Sequence, residues 1–253
     1  GTILVSGGNI DLLSQQGNLK NLEVSGGVLN LARETVDLND LEISGGTLNT
    51  TGTVILDNDF TLSSGTLNTT GTVNLLGENN QWSRGTLSGP GKVNIASDAK
   101  LNITDGGDYK YLLNNITLNN EGTVTWNQLG SAYYWHHLNG DSNSTGEVIN
   151  NKGIFEVKTN LNFDHLTFNN EGTLIKLDST GTSTFNNSIF NNTGTVDLRQ
   201  GSLKFTNNGK LIQAEGTIQQ NGGILDTSNT TYIEDNQLAN FKIISATAPT
   251  NVK

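Results

Sequence analysis

The stretch that decides the fold is SGGTLNTTGTVILDNDFTLSSGTLNTTGTVNLL, residues 44–76, because it contains the same nine-residue segment twice. The segment GTLNTTGTV occupies positions 46–54 and again positions 65–73, a shift of nineteen positions. A repeat of this length is typical of a solenoid, in which each repeat buries its apolar side chains only against its neighbours. The whole chain can therefore be read in steps close to this period.

The same spacing extends through the first hundred residues. One glycine recurs at every nineteenth position, and at the twentieth in the last step: Gly8, Gly27, Gly46, Gly65 and Gly85. Two residues after each glycine lies one apolar column: Ile10, Leu29, Leu48, Leu67 and Leu87. Two more columns precede the glycines: Val5, Val24, Ile43, Leu62 and Trp82, and then Ile3, Leu22, Leu41, Phe60 and Asn80. Polar residues alternate with these columns, as in strands that bury one face.

A further strand in each repeat is indicated by Val54 with Leu56, Val73 with Leu75, and Val93 with Ile95. About three short strands per 19–22-residue repeat, always in the same register, predict an all-β fold, the parallel β-helix. The crossover rule favours a right-handed coil. A left-handed hexapeptide coil is the alternative, and it fits this period poorly. We expect a rod of about a dozen coils, on the order of 55 to 60 Å long.

The chain is predicted to be a single β-solenoid over residues 1–253, with three parts. Residues 1–100 carry the regular 19-residue coils, 101–147 form an irregular, aromatic-rich insertion region, and 148–253 carry wider, 19–22-residue coils. The last part uses a modified motif, an apolar residue followed by Asn-Asn-x-Gly, as at positions 149–153, 168–172 and 190–194. The chain begins inside a repeat, and we interpret it as a piece of a longer protein.

Outward positions also repeat, and stacked Asn side chains can pass amide hydrogen bonds from one coil to the next. We predict such a structural ladder, centred on Asn30, Asn49 and Asn68 and extended by Asp11 and Ser88.

Composition narrows the function classes. The chain has a net charge of −10 and only 14 Lys and Arg, so it lacks the basic stripe that nucleic acid requires. It contains no cysteine, which removes disulfides and thiol chemistry. No apolar run approaches the length of a membrane span, so we expect no membrane insertion.

The SGG-x-L-N units, the 19-residue step and the later F-N-N-x-G-T units resemble the β-helical shafts of bacterial adhesins, namely filamentous haemagglutinin-like exoproteins and autotransporter passenger domains. The resemblance implies export to the cell surface or the extracellular space. It also implies work in adhesion, matrix building or filament formation, with coils of the same parent chain or of another copy stacked end to end.

Within the insertion region, residues 133–137 read Tyr133, Tyr134, Trp135, His136 and His137. Exposed aromatic rings stack on sugars, and histidines hydrogen-bond hydroxyl groups, so this run is a candidate site for a glycan or another partner. In the alternative, the loop folds back and packs its rings on the solenoid, or fills a contact between protomers.

No cofactor is predicted, although Ca²⁺ has one weak candidate site. Asp40 and Asp59 are one repeat apart and would lie one above the other, with Asp57 nearby. Carboxylate oxygens suit Ca²⁺, but solvated turn carboxylates explain the same residues. His136 and His137 are neighbours in sequence and would point to opposite faces of a strand, so they form a poor metal site.

Parallel β-helices also carry enzymes that cleave polysaccharides, so a polysaccharide-binding or polysaccharide-degrading protein is the alternative function. Such chemistry needs carboxylates clustered across neighbouring coils. Glu23 and Glu42 form one outward pair, but Thr61 and Gln81 follow in the same column. We therefore expect no enzymatic activity.

Overall fold

A computed structural model describes residues 1–12, 19–104, 110–127, 137–143, 146–213, 215–227, 233–234 and 242–245. The fold is all-β: parallel strands stack in about 10 coils and form the predicted β-solenoid. Ten coils are fewer than the expected dozen, because the steps in the middle of the chain are longer. Val93 pairs with Leu118, and Leu118 with Ile149, so these two steps span 25 and 31 positions of the sequence.

The strands, in chain order, are β1 (Thr2–Asp11), β2 (Asn21–Leu31), β3 (Thr35–Leu38), β4 (Asp40–Ile43), β5 (Thr47–Thr50), β6 (Thr53–Leu56), β7 (Phe60–Leu62), β8 (Thr66–Thr69), β9 (Thr72–Leu75), β10 (Asn80–Trp82), β11 (Gly85–Ser88), β12 (Lys92–Ile95), β13 (Lys100–Ile103), β14 (Lys110–Leu113), β15 (Thr117–Asn120), β16 (Thr123–Trp126), β17 (Leu138–Asn139), β18 (Val148–Asn151), β19 (Ile154–Val157), β20 (Asn162–Asp164), β21 (Thr167–Asn170), β22 (Thr173–Lys176), β23 (Thr182–Asn186), β24 (Ile189–Asn192), β25 (Thr195–Leu198), β26 (Ser202–Thr206), β27 (Lys210–Gln213), β28 (Thr217–Gln220), β29 (Ile224–Asp226), β30 (Ile233–Glu234) and β31 (Lys242–Ser245).

Each regular coil contributes three strands, and each strand pairs in parallel with its equivalents in the coils before and after. The first and second strands of the coils belong to one sheet of 21 strands, and the third strands form a second sheet of 10. Strands β1 and β2 are long enough to cover both the first and the second position of their coils. Three strands per coil confirm the prediction, while the right hand of the coil stays a prediction.

The predicted apolar columns are confirmed by the strand register. Leu29 pairs with Leu48, and Leu48 with Leu67, while Val24 and Ile43 pair in the column before the glycines. These side chains are buried and belong to one continuous hydrophobic core. Burial of a Leu or Val side chain contributes about 1.5–3 kcal/mol, so the columns supply most of the stabilisation along the rod.

Glycine is required at the corner between the first and second strands. Gly46 has a φ of 65°, and a Cβ atom there would lie 2.5 Å from the carbonyl oxygen of Gly27 in the previous coil. A larger residue would therefore have to adopt a left-handed backbone and also separate two coils. This explains why the sequence repeats glycine at one position of each early coil.

The interval 101–147, predicted as an irregular insertion region, keeps the register of the solenoid where it is described. Strands β13 to β17 occupy successive strand positions, and β15 pairs with β12 and β18 without a shift. Residues 105–109, 128–136 and 144–145 of this interval lie outside the described residues. The solenoid therefore runs through this interval.

Aromatic rings fill the core of the C-terminal half. Phe163 and Phe185 stack with ring centroids 4.5 Å apart and an interplanar angle of 4°, and Phe185 lies 5.4 Å from Phe205 in the next coil. Trp126 contacts Phe163 edge-on at 4.9 Å. Phe163, Phe185 and Phe205 continue the inward column of Leu138, whereas Trp126 follows Ile103 and Trp82 in another column.

Candidate functional site

Most of the predicted aromatic site, Tyr133, Tyr134, Trp135 and His136, lies outside the described residues, so its role in glycan binding stays a prediction. His137, the last residue of the run, is described. Its Nδ1 atom lies 2.5 Å from Oδ2 of Asp164, and the two side chains are only 15% and 8% exposed. At His137 the chain therefore packs against the second-strand side of the solenoid, and this side chain is already engaged.

The three aspartates proposed for Ca²⁺ are all described. Oδ1 of Asp40 accepts a hydrogen bond from the backbone N–H of Asp59 at 3.3 Å, which uses one possible ligand oxygen for the turn itself. Within the described ranges, no three His, Asp or Glu side chains are grouped so that they could hold a metal ion. Asp40, Asp57 and Asp59 thus form no ligand cage.

The predicted amide ladder on the 21-stranded sheet is confirmed. Nδ2 of Asn68 donates to Oδ1 of Asn49 at 2.9 Å, and Nδ2 of Asn49 donates to Oδ1 of Asn30 at 2.7 Å. Nδ2 of Asn30 donates in turn to the Asp11 carboxylate at 2.6 Å. The hydrogen bonds of this ladder thus run from Asp11 to Asn68, whereas Ser88, which pairs with Asn68 in register, is buried and its hydroxyl accepts from Asn114.

A longer ladder, not predicted as such, lies on the outer face of the 10-stranded sheet. Its six half-buried asparagines come from six successive third strands, and five hydrogen bonds of 2.6–2.8 Å join them. In each bond Nδ2 donates toward the N-terminal end of the rod. The members of this outer ladder are Asn74, Asn94, Asn119, Asn150, Asn169 and Asn191.

A groove of about 600 Å³ lies over this ladder. Its floor includes Asn94, Asn119 and Asn150. Apolar side chains line it as well, namely Ile55, Leu76 and Ala96, and Leu76 is 42% exposed. The charged residues that line it are Lys92, Lys152, Glu121 and Glu171.

Directly behind the groove, the inner face of the same sheet carries a second, buried ladder. Asn120 donates to Asn151, Asn151 to Asn170, and Asn170 to Asn192, each at 2.7 Å, and Asn192 donates to Gln213 at 3.0 Å. These side chains are at most 2% exposed. Buried amides need hydrogen-bond partners, so this inner ladder fixes the sheet beneath the groove.

The Asn-Asn pairs in the motifs at 149–153, 168–172 and 190–194 explain both ladders. Successive side chains of a strand point to opposite faces, so the first Asn of each pair faces outward and the second inward. Sequence reasoning noted the pairs but not their two roles. Strand alternation, applied to residues 118–120, would have predicted that the two asparagines of each pair lie on opposite faces.

A smaller depression of about 500 Å³ lies at the corner between the second and third strands. Nδ2 of Asn187 lies 3.3 Å from Nε2 of His165, and Asn208 and Lys210 line the same depression. His165, Asn187 and Asn208 all have positive φ angles of 47–67°. The polar side chains at this corner thus stack from coil to coil in a tight turn.

Lys176 is a buried cation that the sequence did not predict. It takes the place of an apolar residue in a core column, between Val157 and Leu198, and is 0% exposed. Its Nζ donates to the carbonyl oxygen of Thr159 at 2.7 Å and to the Ser179 hydroxyl at 2.5 Å. Burial lowers the pKa of Lys176 to about 8, because the charged form loses hydration.

The two outward carboxylates considered for catalysis lie next to each other in neighbouring coils, as the sequence pattern predicted. Glu23 pairs with Glu42 in register, and Thr61 follows in the next coil. The enzymatic alternative is not tested by this arrangement.

Comparisons with protein-family models, with curated proteins and with solved structures give no match for this chain. In the part of the chain that the structure describes, no helix is long and apolar enough to cross a membrane.

Proposed function

We propose that the chain is a structural and adhesive β-helix module of a bacterial surface or secreted protein, which works outside the cell by surface binding or self-association. The resemblance of its repeats to adhesin shafts supports this proposal, and so does its acidic, Asn- and Thr-rich composition. The observation that carries it is the outer ladder: six identical amide side chains, one per coil, repeated along one face.

A regular row of equal polar groups suits a surface that binds through many weak contacts. Each contact alone contributes little, but linked contacts add up because the later ones form within an existing complex. The solenoid holds the groups at a fixed spacing of about 4.8 Å per coil, so each new contact requires little further ordering of the protein.

Self-association is proposed to proceed end to end. In the described residues the outer edge of β1 has no strand beside it, and Ile10, which continues the inward column of Leu29, is 36% exposed there. Unpaired strand edges recruit further strands. A further coil of the same parent chain, or the other end of a second copy, would cover both the edge and this side chain.

Two experiments test the proposal. Beads coated with the protein are expected to adhere to bacterial or epithelial cell layers, while albumin-coated beads do not.

In sedimentation, the protein at high concentration is expected to form end-to-end oligomers, which negative-stain microscopy would show as fibres. Ile10→Lys should reduce assembly, because Ile10 continues the inward column of Leu29 and is exposed at this end of the rod, whereas Leu76→Lys, which replaces an apolar residue on the side of the rod, should not. Non-adherent beads together with a protein that stays monomeric would refute the proposal.

A further inference from the structure

The outer ladder leaves hydrogen-bonding groups unused. An amide side chain offers two N–H donors and two acceptor lone pairs. Asn119 spends one donor on Asn94 and one lone pair on the donor of Asn150, both at 2.8 Å. Each asparagine of the outer ladder that has a neighbour on both sides therefore keeps one further N–H donor and one further acceptor lone pair. The floor of the groove therefore presents donors and acceptors alternately, at the strand spacing of about 4.8 Å.

The apolar residues of the groove give it a second property. Leu76 is 42% exposed in a position that follows a buried strand residue, and Ile55 and Ala96 line the groove with it. Small-ligand sites typically combine such apolar surface with a few polar groups that fix orientation. Sugar rings have both parts, since C–H faces pack on apolar surface while hydroxyl groups both donate and accept.

The charged residues that line the groove favour an uncharged sugar over an acidic one. The groove is lined by two lysines and two glutamates, and Lys152 lies 3.9 Å from Glu171. These four charges cancel, while the whole chain carries −10. A polyanion would gain nothing in the groove and would be repelled by the rest of the protein. A neutral ligand meets no such penalty.

The repetition of the site selects a polymer over a single sugar. The groove crosses the third strands of several coils, and Asn94, Asn119 and Asn150 offer the same groups in each. We infer that the groove binds an extended, uncharged polysaccharide, whose chain runs along the solenoid axis with its hydroxyls on the outer ladder. This inference rests on the proposed function, for which it names the ligand class.

Soluble dextran, mannan, xylan and galactan are suitable neutral probes, and alginate is the acidic one. In affinity electrophoresis at low and physiological salt, at least one neutral polymer should retard the protein, and alginate should not. Asn119→Ala should weaken retardation about tenfold, because the variant removes the central amide of the floor.

Asn49→Ala is the matched control. Asn49 belongs to the outward ladder of the other sheet and makes the same two amide bonds, at 2.7 and 2.9 Å, but it lies outside the groove. Its replacement should leave retardation unchanged. Circular dichroism and melting temperature should change equally little in both variants.

Three outcomes would overturn the inference: no neutral polymer retards the protein, alginate retards it more, or the two variants lose binding equally. The coated-bead assay separates this failure from that of the proposed function. If beads adhere to cells but no neutral polymer binds or competes, the adhesive function stands and the assigned ligand class is wrong.

Discussion

Inside the core of the solenoid, Nδ2 of Asn151 donates a hydrogen bond to Oδ1 of Asn170 at 2.7 Å, and both side chains are at most 1% exposed. The same nitrogen also donates to the carbonyl oxygen of Thr173 at 3.1 Å. Asn120, Asn151 and Asn170 each link their own coil to the next one by both a side chain and the backbone. The amide–amide contacts stabilise the stacking of coils because they are buried away from water.

Replacing one inner-ladder residue should cost more than replacing its outward neighbour. Asn151→Ala removes the acceptor of Asn120 and the donor to Asn170, and an unsatisfied buried polar group costs about 1–3 kcal/mol. We expect the variant to lose about 2–6 kcal/mol of unfolding free energy. Urea unfolding followed by circular dichroism measures the loss.

Asn150→Ala is the control for this prediction. Asn150 lies on the same strand, but water can reach its neighbours in the outer ladder, so the expected loss is about 1 kcal/mol. Equal losses for the two variants would show that burial adds nothing to the ladder.

The corner glycines should tolerate alanine only where no coil lies against them. In Gly46→Ala the new Cβ would lie 2.5 Å from the Gly27 carbonyl oxygen, and the left-handed backbone adds about 1–2 kcal/mol. Gly8 has a similar φ of 73°, but no atom lies within 4 Å of the place that its Cβ would occupy. We expect a clear drop in melting temperature for Gly46→Ala and a smaller one for Gly8→Ala. The opposite order would refute the close-approach explanation.

An exposed ion pair gives a prediction about protonation. Lys100 Nζ lies 2.6 Å from Oε2 of Glu78, and this hydrogen bond lowers the pKa of Glu78 below its ordinary value. In Lys100→Met the pKa of Glu78 should rise again. NMR titration of the side-chain carboxyl carbon measures it, and 1 M salt should shift the pKa of the parent protein in the same direction. A titration midpoint that is the same in both proteins would contradict the pairing.

The fold could be predicted from the sequence because the apolar residues that become buried recur at a fixed spacing. Leu29, Leu48 and Leu67 recur at a fixed distance, and strand alternation leaves one solution for their faces. The groove could not be predicted in this way. Its apolar residues and its amide floor come from different columns of the repeat. The steps from Asn94 to Asn119 and from Asn119 to Asn150 are longer than the regular period, so the spacing in the sequence does not show which residues of these columns align.

Single polar residues in the core were still harder to predict from the sequence. Asn80 stands in an apolar column, and only the structure shows why it is tolerated: Nδ2 donates to the carbonyls of Gly77 and Lys100, and Oδ1 accepts from the N–H of Phe60. Lys176 likewise depends on acceptors from Thr159 and Ser179. Such partners come from neighbouring turns whose positions follow from the fold, so the residue type alone does not reveal them.

Lys176 predicts how stability depends on pH. Its pKa is about 8 in the folded protein, below the ordinary value of 10.5, so between these values the unfolded chain binds more protons. Stability should therefore rise with pH across this window, by at most about 3.5 kcal/mol, since each pKa unit corresponds to about 1.4 kcal/mol. Urea unfolding at pH 7.5, 9 and 10.5 measures the rise. Lys176→Met should abolish this contribution, whereas Lys152→Met, at a side chain that is 56% exposed, should retain it. If the parent protein and Lys176→Met show the same slope, the buried ammonium group does not control it.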